Sequence, residues 1–337
     1  MAKSTEIRMV GVDVSARWVD VSRAAADEPV GTRRCANTSS GHSELARWIT
    51  HGRRRARVVL EATGLYSLDV ARALQRTPGV EVMIVNPRTS KEFAGAWGQR
   101  ARSDQRAADV LREYAARMPF TPWTPPAEAA WALRVIMRRV VALIAMRTQE
   151  RNRLHAGSAT TALPRSVRAD MREHIRALGK QIARLEHEAR AVVEPAPALR
   201  AGFRHLCSIK GIGRRSALLI LSEVAVLPPA LTVRQWVAQV GLDPRPIRSG
   251  TSVHPPIHIS KRGNVYLRRA LFMPALVAVR RNAAVQRFAM ALTARGKAPL
   301  QVLVAVMRKL LHAIYGMLKT DTDFDGEKFR RSARVEA

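Results

Sequence analysis

Three carboxylates stand out because of their surroundings. Asp13 lies inside the apolar run Arg8 to Val14, Glu61 ends the run ARVVLE, and Asp104 opens a helical pattern in RSDQRAADVL. A carboxylate in a buried strand costs free energy unless it is paired or metal-bound. Two acids at strand positions and one at a helix start could converge on one or two divalent ions. Oxygen ligands suit Mg²⁺ (or Mn²⁺), which polarises phosphate oxygens and activates an attacking group. Each acid alone reads equally as a solvated or salt-bridged side chain.

The other candidates are basic, glycine-rich or hydroxyl-bearing. In SIKGIGRR, Lys210, Gly211, Gly213 and Arg214 form a glycine hairpin opening a helix, where backbone N–H groups can face a phosphate. The pattern is helix-hairpin-helix-like, and it also fits an ordinary helix corner. In PRPIRSGTS, Arg248 and Ser249 sit beside Gly250 in a basic loop. A serine there could approach a phosphate as a nucleophile if it were activated. Ser252 is an equal candidate, and a plain turn is the common alternative. In ISKRGN, Lys261 and Arg262 precede a helix carrying Arg268 and Arg269, which reads as a phosphate-gripping turn or as a solvated face.

The elements that must position these groups follow from periodicity. Short apolar runs at Arg8 to Val14, Ala56 to Glu61 and Val80 to Val85, and the alternating stretch Trp18 to Arg23, predict strands. The link Ser15-Ala16-Arg17 predicts a hairpin, and helical spacing covers Ser40 to His51 and Ser67 to Gln75. Strands alternating with helices predict an α/β domain over residues 1–118. Four prolines in PFTPWTPP predict a stiff linker or belt. Residues 119–197 then read as that segment plus two long helices with narrow apolar stripes, a coiled coil or a hairpin packed on its own chain. Residues 198–325 read as mainly helical, with a loop from Asp243 to Ser260, and 326–337 as a disordered tail.

Composition narrows the partners. The chain of 337 residues carries 57 Lys and Arg against 27 acids, a formal net charge of +30. Such a body attracts polyanions, and nucleic acid leads, because phosphate neutralisation releases counterions. A membrane surface fits poorly, since the charge is spread along the chain. No apolar stretch reads as a membrane span and the N-terminus lacks a signal-peptide core, so the expectation is cytoplasmic and nucleoid-associated. Cys35 and Cys207 lie far apart without metal-ligand spacing and read as buried apolar residues.

The order of motifs also carries a resemblance. VGVDVS, LEATG, IVNPR and RSDQRAADVLREYA, followed by SIKGIG, VGLDPRPIRSGTSV and ISKRGNVYLRRALFMPALVA, resemble the DEDD insertion-sequence transposases. This insertion-sequence one-ten family includes the Piv-type invertases. The likeness runs from about residue 8 to 325. It implies a RuvC-like (RNase H-like) N-terminal domain, coiled-coil helices and a helical transposase domain. It implies dimers pairing into tetramers around a noncoding bridge RNA whose loops pair with donor and target DNA. It places Asp13, Glu61 and Asp104 on the acidic metal positions and Ser249 on the serine that links to DNA, the two sets coming from different subunits. The family's fourth acid falls on Ala107. Asp109 is no clean replacement, since five residues along a helix turn it roughly 140° away. A chain inactivated on purpose, a degenerate natural copy, or a distorted helix start that recruits Asp109 would each account for this. Competing functions are a junction-resolving nuclease using water, and a catalytically dead RNA- and DNA-binding scaffold.

Overall fold

The computed structural model describes residues 7–62, 64, 66–98, 103–245 and 258–331. It forms two compact units divided between Pro125 and Pro126.

The first unit is built on a five-stranded sheet. Strands β1 (Arg8–Val14), β2 (Trp18–Ala25), β3 (Glu28–Ala36), β4 (Ala56–Glu61) and β5 (Val80–Val85) are ordered β3-β2-β1-β4-β5. The first three run antiparallel, and β1, β4 and β5 run parallel. Alternation along each strand sends side chains to opposite faces. Val10, Val12, Val19 and Val21 join a core with Leu45 and Ile49 of helix α1 (Ser39–Thr50) and Val70 and Leu74 of helix α2 (Tyr66–Gln75). On the other face, Val59 and Val85 pack with Leu111, Tyr114 and Ala115 of helix α4 (Asp104–Arg117). Helix α3 (Pro87–Ala96) lies beside it, with Phe93 edge-on to Tyr114 at 5.1 Å.

One glycine sets the distance between α4 and the sheet. A Cβ at Gly11 would stand 2.0 Å from the Ala108 carbonyl oxygen and 2.2 Å from the Arg112 nitrogen. Only glycine lets that helix backbone lie directly on β1.

The proline-rich segment belongs to this unit as a belt along the sheet edge. The Trp123 N–H donates to the Val82 carbonyl at 2.6 Å, and Arg57 lies over the Phe120 ring at 5.2 Å.

The second unit is helical, and the two long helices are part of it rather than a separate middle domain. Helices α5 (Glu128–Ser158) and α6 (Arg165–Val193) form an antiparallel hairpin. Leu133, Met137, Val140, Leu178 and Ile182 share one core with the helices that follow. These are α7 (Pro197–Ser208), α8 (Arg214–Val224), α9 (Val233–Val240), α10 (Val265–Arg281), α11 (Ala283–Ala294) and α12 (Pro299–Thr320). A two-residue ribbon, β6 (Pro244–Arg245) with β7 (His258–Ile259), follows α9.

The buried carboxylate of Glu223 ties α8 to two neighbours. It accepts two hydrogen bonds from Arg138 at 2.7 and 3.0 Å and one from Asn264 at 2.6 Å, with Arg134 at 3.2 Å. Burial would push its pKa up, but these donors and cations outweigh it and hold it below the usual carboxylate range.

Three expectations are corrected. The tail is not wholly disordered, because Gly326–Arg331 form helix α13, and Phe329 is buried against Phe288 and Phe324. Helix α12 is long and apolar enough to cross a membrane, contrary to the reading of no such stretch, yet Val306, Leu310, Leu311 and Ile314 are wholly buried in the core of this unit. Cys207 is exposed, whereas Cys35 is buried as expected; both are free thiols.

Candidate catalytic site and nucleic-acid surface

The strand register lines up the site. Asp13 on β1 pairs with Asp20 on β2, and Asp20 pairs with Arg34 on β3. On the other side Val12 pairs with Leu60, so Asp13 and Glu61 are the next neighbours in a parallel ladder. The valines beside these residues fill the opposite core, which turns Asp13 and Asp20 to the α4 face. The result is a row across four strands: Arg34, Asp20, Asp13, Glu61. Asp104 is the first residue of α4, whose N-terminus favours negative charge; Ser103 caps that end by accepting the Arg106 N–H at 3.3 Å.

Asp13 records this crowding. Its pKa is raised to about 6, first by burial, then by the charges of Asp104, Glu61 and Asp20. The row therefore holds more negative charge than its protein partners neutralise at that point. Glu61 is positioned from β5's exit: Ser90 on α3 donates to its Oε2 at 2.6 Å. Asp20 is buried and accepts both prongs of Arg34, at 2.8 and 3.0 Å. The same Arg34 terminal nitrogen reaches the exposed Asp104 at 3.3 Å.

Hard oxygen donors with surplus negative charge fit a divalent cation. The donor set is not drawn together as it stands. Among the described residues, no three acidic, histidine or cysteine side chains are gathered tightly enough to hold an ion. Ala107 lies one turn along α4 from Asp104, while Asp109 lies roughly 140° round a continuous helix from it. The distorted helix start that would recruit Asp109 is not seen.

Asp20, Arg34 and Ser90 escaped the sequence reading. Asp20 sits at an alternating position of a strand, where an acid normally faces solvent. The Asn86-Pro87 pair was a usable signal for α3, because an N-cap asparagine before a first-turn proline starts helices.

The basic motifs divide. Lys210 and Arg214 are exposed at the hairpin between α7 and α8, but Arg215 is held by Glu186. Gly211, with φ of 119°, serves packing: a Cβ there would come within 2.8 Å of the Ala278 backbone on α10. Gly213 caps α8 with no atom near its would-be Cβ, which leaves the backbone open. Arg268 is turned to structural use, donating to the Val240 carbonyl at 2.7 Å, whereas Arg269 is exposed. Lys261 and Arg262 are exposed on a turn clamped to the end of α9. A Cβ at Gly241 would meet the Arg262 carbonyl oxygen at 2.3 Å, and one at Gly263 the Gln239 carbonyl oxygen at 2.2 Å. Ser260 fixes the turn from its other side by donating to Asp243 at 2.6 Å. Arg248, Ser249 and Ser252 lie outside the described residues. The segment carrying them leaves at Arg245 and returns at His258, which are partners in the β6–β7 ladder.

Two family models match the chain. One, described as a transposase of the DEDD IS110 type, covers residues 10–157, and the other, described as the transposase IS116/IS110/IS902 family, covers 203–289. The chain belongs to the IS110 family of transposases. It is similar to the pilin gene-inverting proteins of Moraxella bovis and Moraxella lacunata. Each is 28% identical over 86% of this chain and 89% of the relative. An IS110 insertion-element protein of Streptomyces coelicolor is 29% identical over 48% of this chain and 38% of its own length.

Proposed function

We propose that this chain is a DNA transposase or recombinase that cuts and exchanges strands under the direction of a bridge RNA. In this reading the first unit is RuvC-like, which its strand order and its mix of antiparallel and parallel pairs support. Asp13, Glu61 and Asp104 hold Mg²⁺ or Mn²⁺, and Ser249 forms a covalent bond to DNA. The observation that carries the reading is the row of acids at one end of the sheet, with Asp13 raised to about 6 by burial and then by its acidic neighbours, in a chain of this family. A divalent ion there would supply polarisation of phosphate oxygens and an activated attacking group.

The Ser249 oxygen bonds to phosphorus as the bond to one DNA oxygen breaks; the serine proton passes to solvent, and the leaving oxygen takes up a proton to become a free hydroxyl. One phosphoester bond replaces another, so the strand can be rejoined without ATP. The serine and the acids come from different subunits of a dimer-based tetramer, which ties cutting to assembly. Lys210, Arg214, Lys261, Arg262 and Arg269 contact phosphates in this reading, which their exposure supports.

The test is a denaturing gel of protein, candidate flanking RNA, Mg²⁺ and nicked target DNA. A protein–DNA adduct, lost in Ser249→Ala, is expected. If Ser249→Ala still forms the adduct, the serine assignment fails and Ser252 is next. Ala107 favours a second reading, an RNA- and DNA-binding scaffold without catalysis. It predicts tight binding and no adduct in either the native chain or Ala107→Asp. An adduct gained only in Ala107→Asp identifies a disabled recombinase.

A further inference from the structure

Arg34 occupies an unusual place beside the acidic row. Its guanidinium is anchored by two hydrogen bonds to Asp20, whose side chain is 6% exposed. That fork is fixed by the register of β2 with β3. The remaining reach of Arg34 goes to Asp104, a 3.3 Å contact between two side chains that are 51% and 61% exposed. The contact is long, single and solvent-facing, so it is the weak link of the pair. Asp20 is itself the ladder partner of Asp13, so Arg34 and the Asp104 it contacts lie beside Asp13 at that end of the sheet. The two acids are thus neighbours, but one is held by an arginine.

We propose that Arg34, anchored on Asp20, is a built-in counter-cation that keeps Asp104 off the metal position, so that loading requires Asp104 to leave Arg34. This inference rests on the reading of Asp13, Glu61 and Asp104 as metal ligands. It gives the unconverged acids a cause: Asp104 already has a cation. Asp104, exposed at a helix N-terminus, needs only a side-chain rotation to leave, while Arg34 stays with buried Asp20. A DNA or RNA phosphate is a natural competitor, because β3 is the edge strand of the sheet and a guanidinium binds phosphate as it binds carboxylate. Nucleic-acid binding and metal loading then favour one another.

The experiment is calorimetric titration of Mn²⁺ into the full chain. The variants are Arg34→Lys, Arg34→Gln and the double variant Asp20→Asn/Arg34→Gln, which leaves no buried acid unpaired. Arg33→Gln on the same strand, whose partner is Glu44, controls for the positive charge that Arg34→Gln removes, whereas the double variant keeps the net charge. Asp13→Asn controls for the site itself. At least a threefold tighter Mn²⁺ dissociation constant is expected in the double variant. Arg34→Lys should stay near the native value and Arg33→Gln should change it less than threefold. Unchanged or weaker binding in the double variant overturns the proposal, as does an equal gain in Arg33→Gln. If neither the native chain nor any Arg34 variant binds Mn²⁺ in a way that Asp13→Asn abolishes, the metal reading falls, and this inference falls with it. Tight Asp13-dependent binding unaffected by Arg34 sinks only the inference.

Discussion

Asp13 is a residue whose environment works against stability. Its carboxyl binds a proton more tightly in the folded chain than in the unfolded one, at about 6 against an ordinary 3.8. Stability therefore falls as pH rises through that window, and the penalty is present in full above about 6. Asp13→Asn is expected to abolish cleavage and to raise metal-free stability at pH 7 by about 1 kcal/mol, after allowance for partial solvent access. Urea denaturation checks this, and a variant less stable than the native chain would mark Asp13 as a structural acid. Asp13 and Glu61 were legible in the sequence because carboxylates rarely end or interrupt valine runs. Asp20 was not, because a lone strand with alternating polarity looks one-sided. Only α4 lying on the second face makes that position interior. Arg34 was hidden for a related reason: β3 reads EPVGTRRCA, with the proline, glycine and charges of an edge strand and no apolar run to announce it.

Among the elements, the pairing of β1 with α4 matters most. It brings the start of α4 to the end of the strand that carries Asp13, and Gly11 permits it. Gly11→Ala would force a methyl group into the α4 backbone, and a loss of about 3 kcal/mol is expected from overpacking. The same variant should lose cleavage even where it remains folded, because α4 carries Asp104. Denaturation midpoints and an adduct gel at low temperature separate the two effects. The strands β1, β2, β4 and β5 and the two long helices were readable from period alone. The packing of α5 and α6 was not, since a narrow apolar stripe suits a partner chain as well as a neighbour in the same fold. The buried Glu223 network decides it for α5: Arg134 and Arg138 converge on a carboxylate that α8 supplies.

At the scale of the whole molecule, its net charge of +30 predicts nucleic-acid binding that weakens steeply with salt. The C-terminal end is fastened by a different device. His205 on α7 is buried, with Nε2 2.8 Å from Asp321 and Nδ1 2.6 Å from Asp323, just past α12. Burial alone would lower its pKa, but the two carboxylates outweigh burial and raise it above the ordinary 6.5. A group with a raised folded pKa contributes its stabilisation fully below 6.5 and loses it as pH climbs through the folded value. Native protein should therefore lose stability as pH rises above 6.5 relative to His205→Gln, measured by urea denaturation. Parallel curves would mean that the imidazole stays neutral throughout. The sequence offered no hint of this clasp, because residues 205, 321 and 323 meet only once α7 and α12 are packed.

The β6–β7 ribbon has a consequence for how such a protein changes over time. Its two ends are joined by ladder pairs at Pro244 with Ile259 and Arg245 with His258, so the residues between them need span no distance. Lengthening a closed loop is cheap, about 0.6 kcal/mol per doubling. Insertions or deletions between Arg245 and His258 would change the reach of Ser249, the proposed nucleophile, without altering the ladder that closes the loop. The proposed nucleophile thus lies between two paired strand ends, while the proposed metal ligands lie on the sheet and at the start of α4.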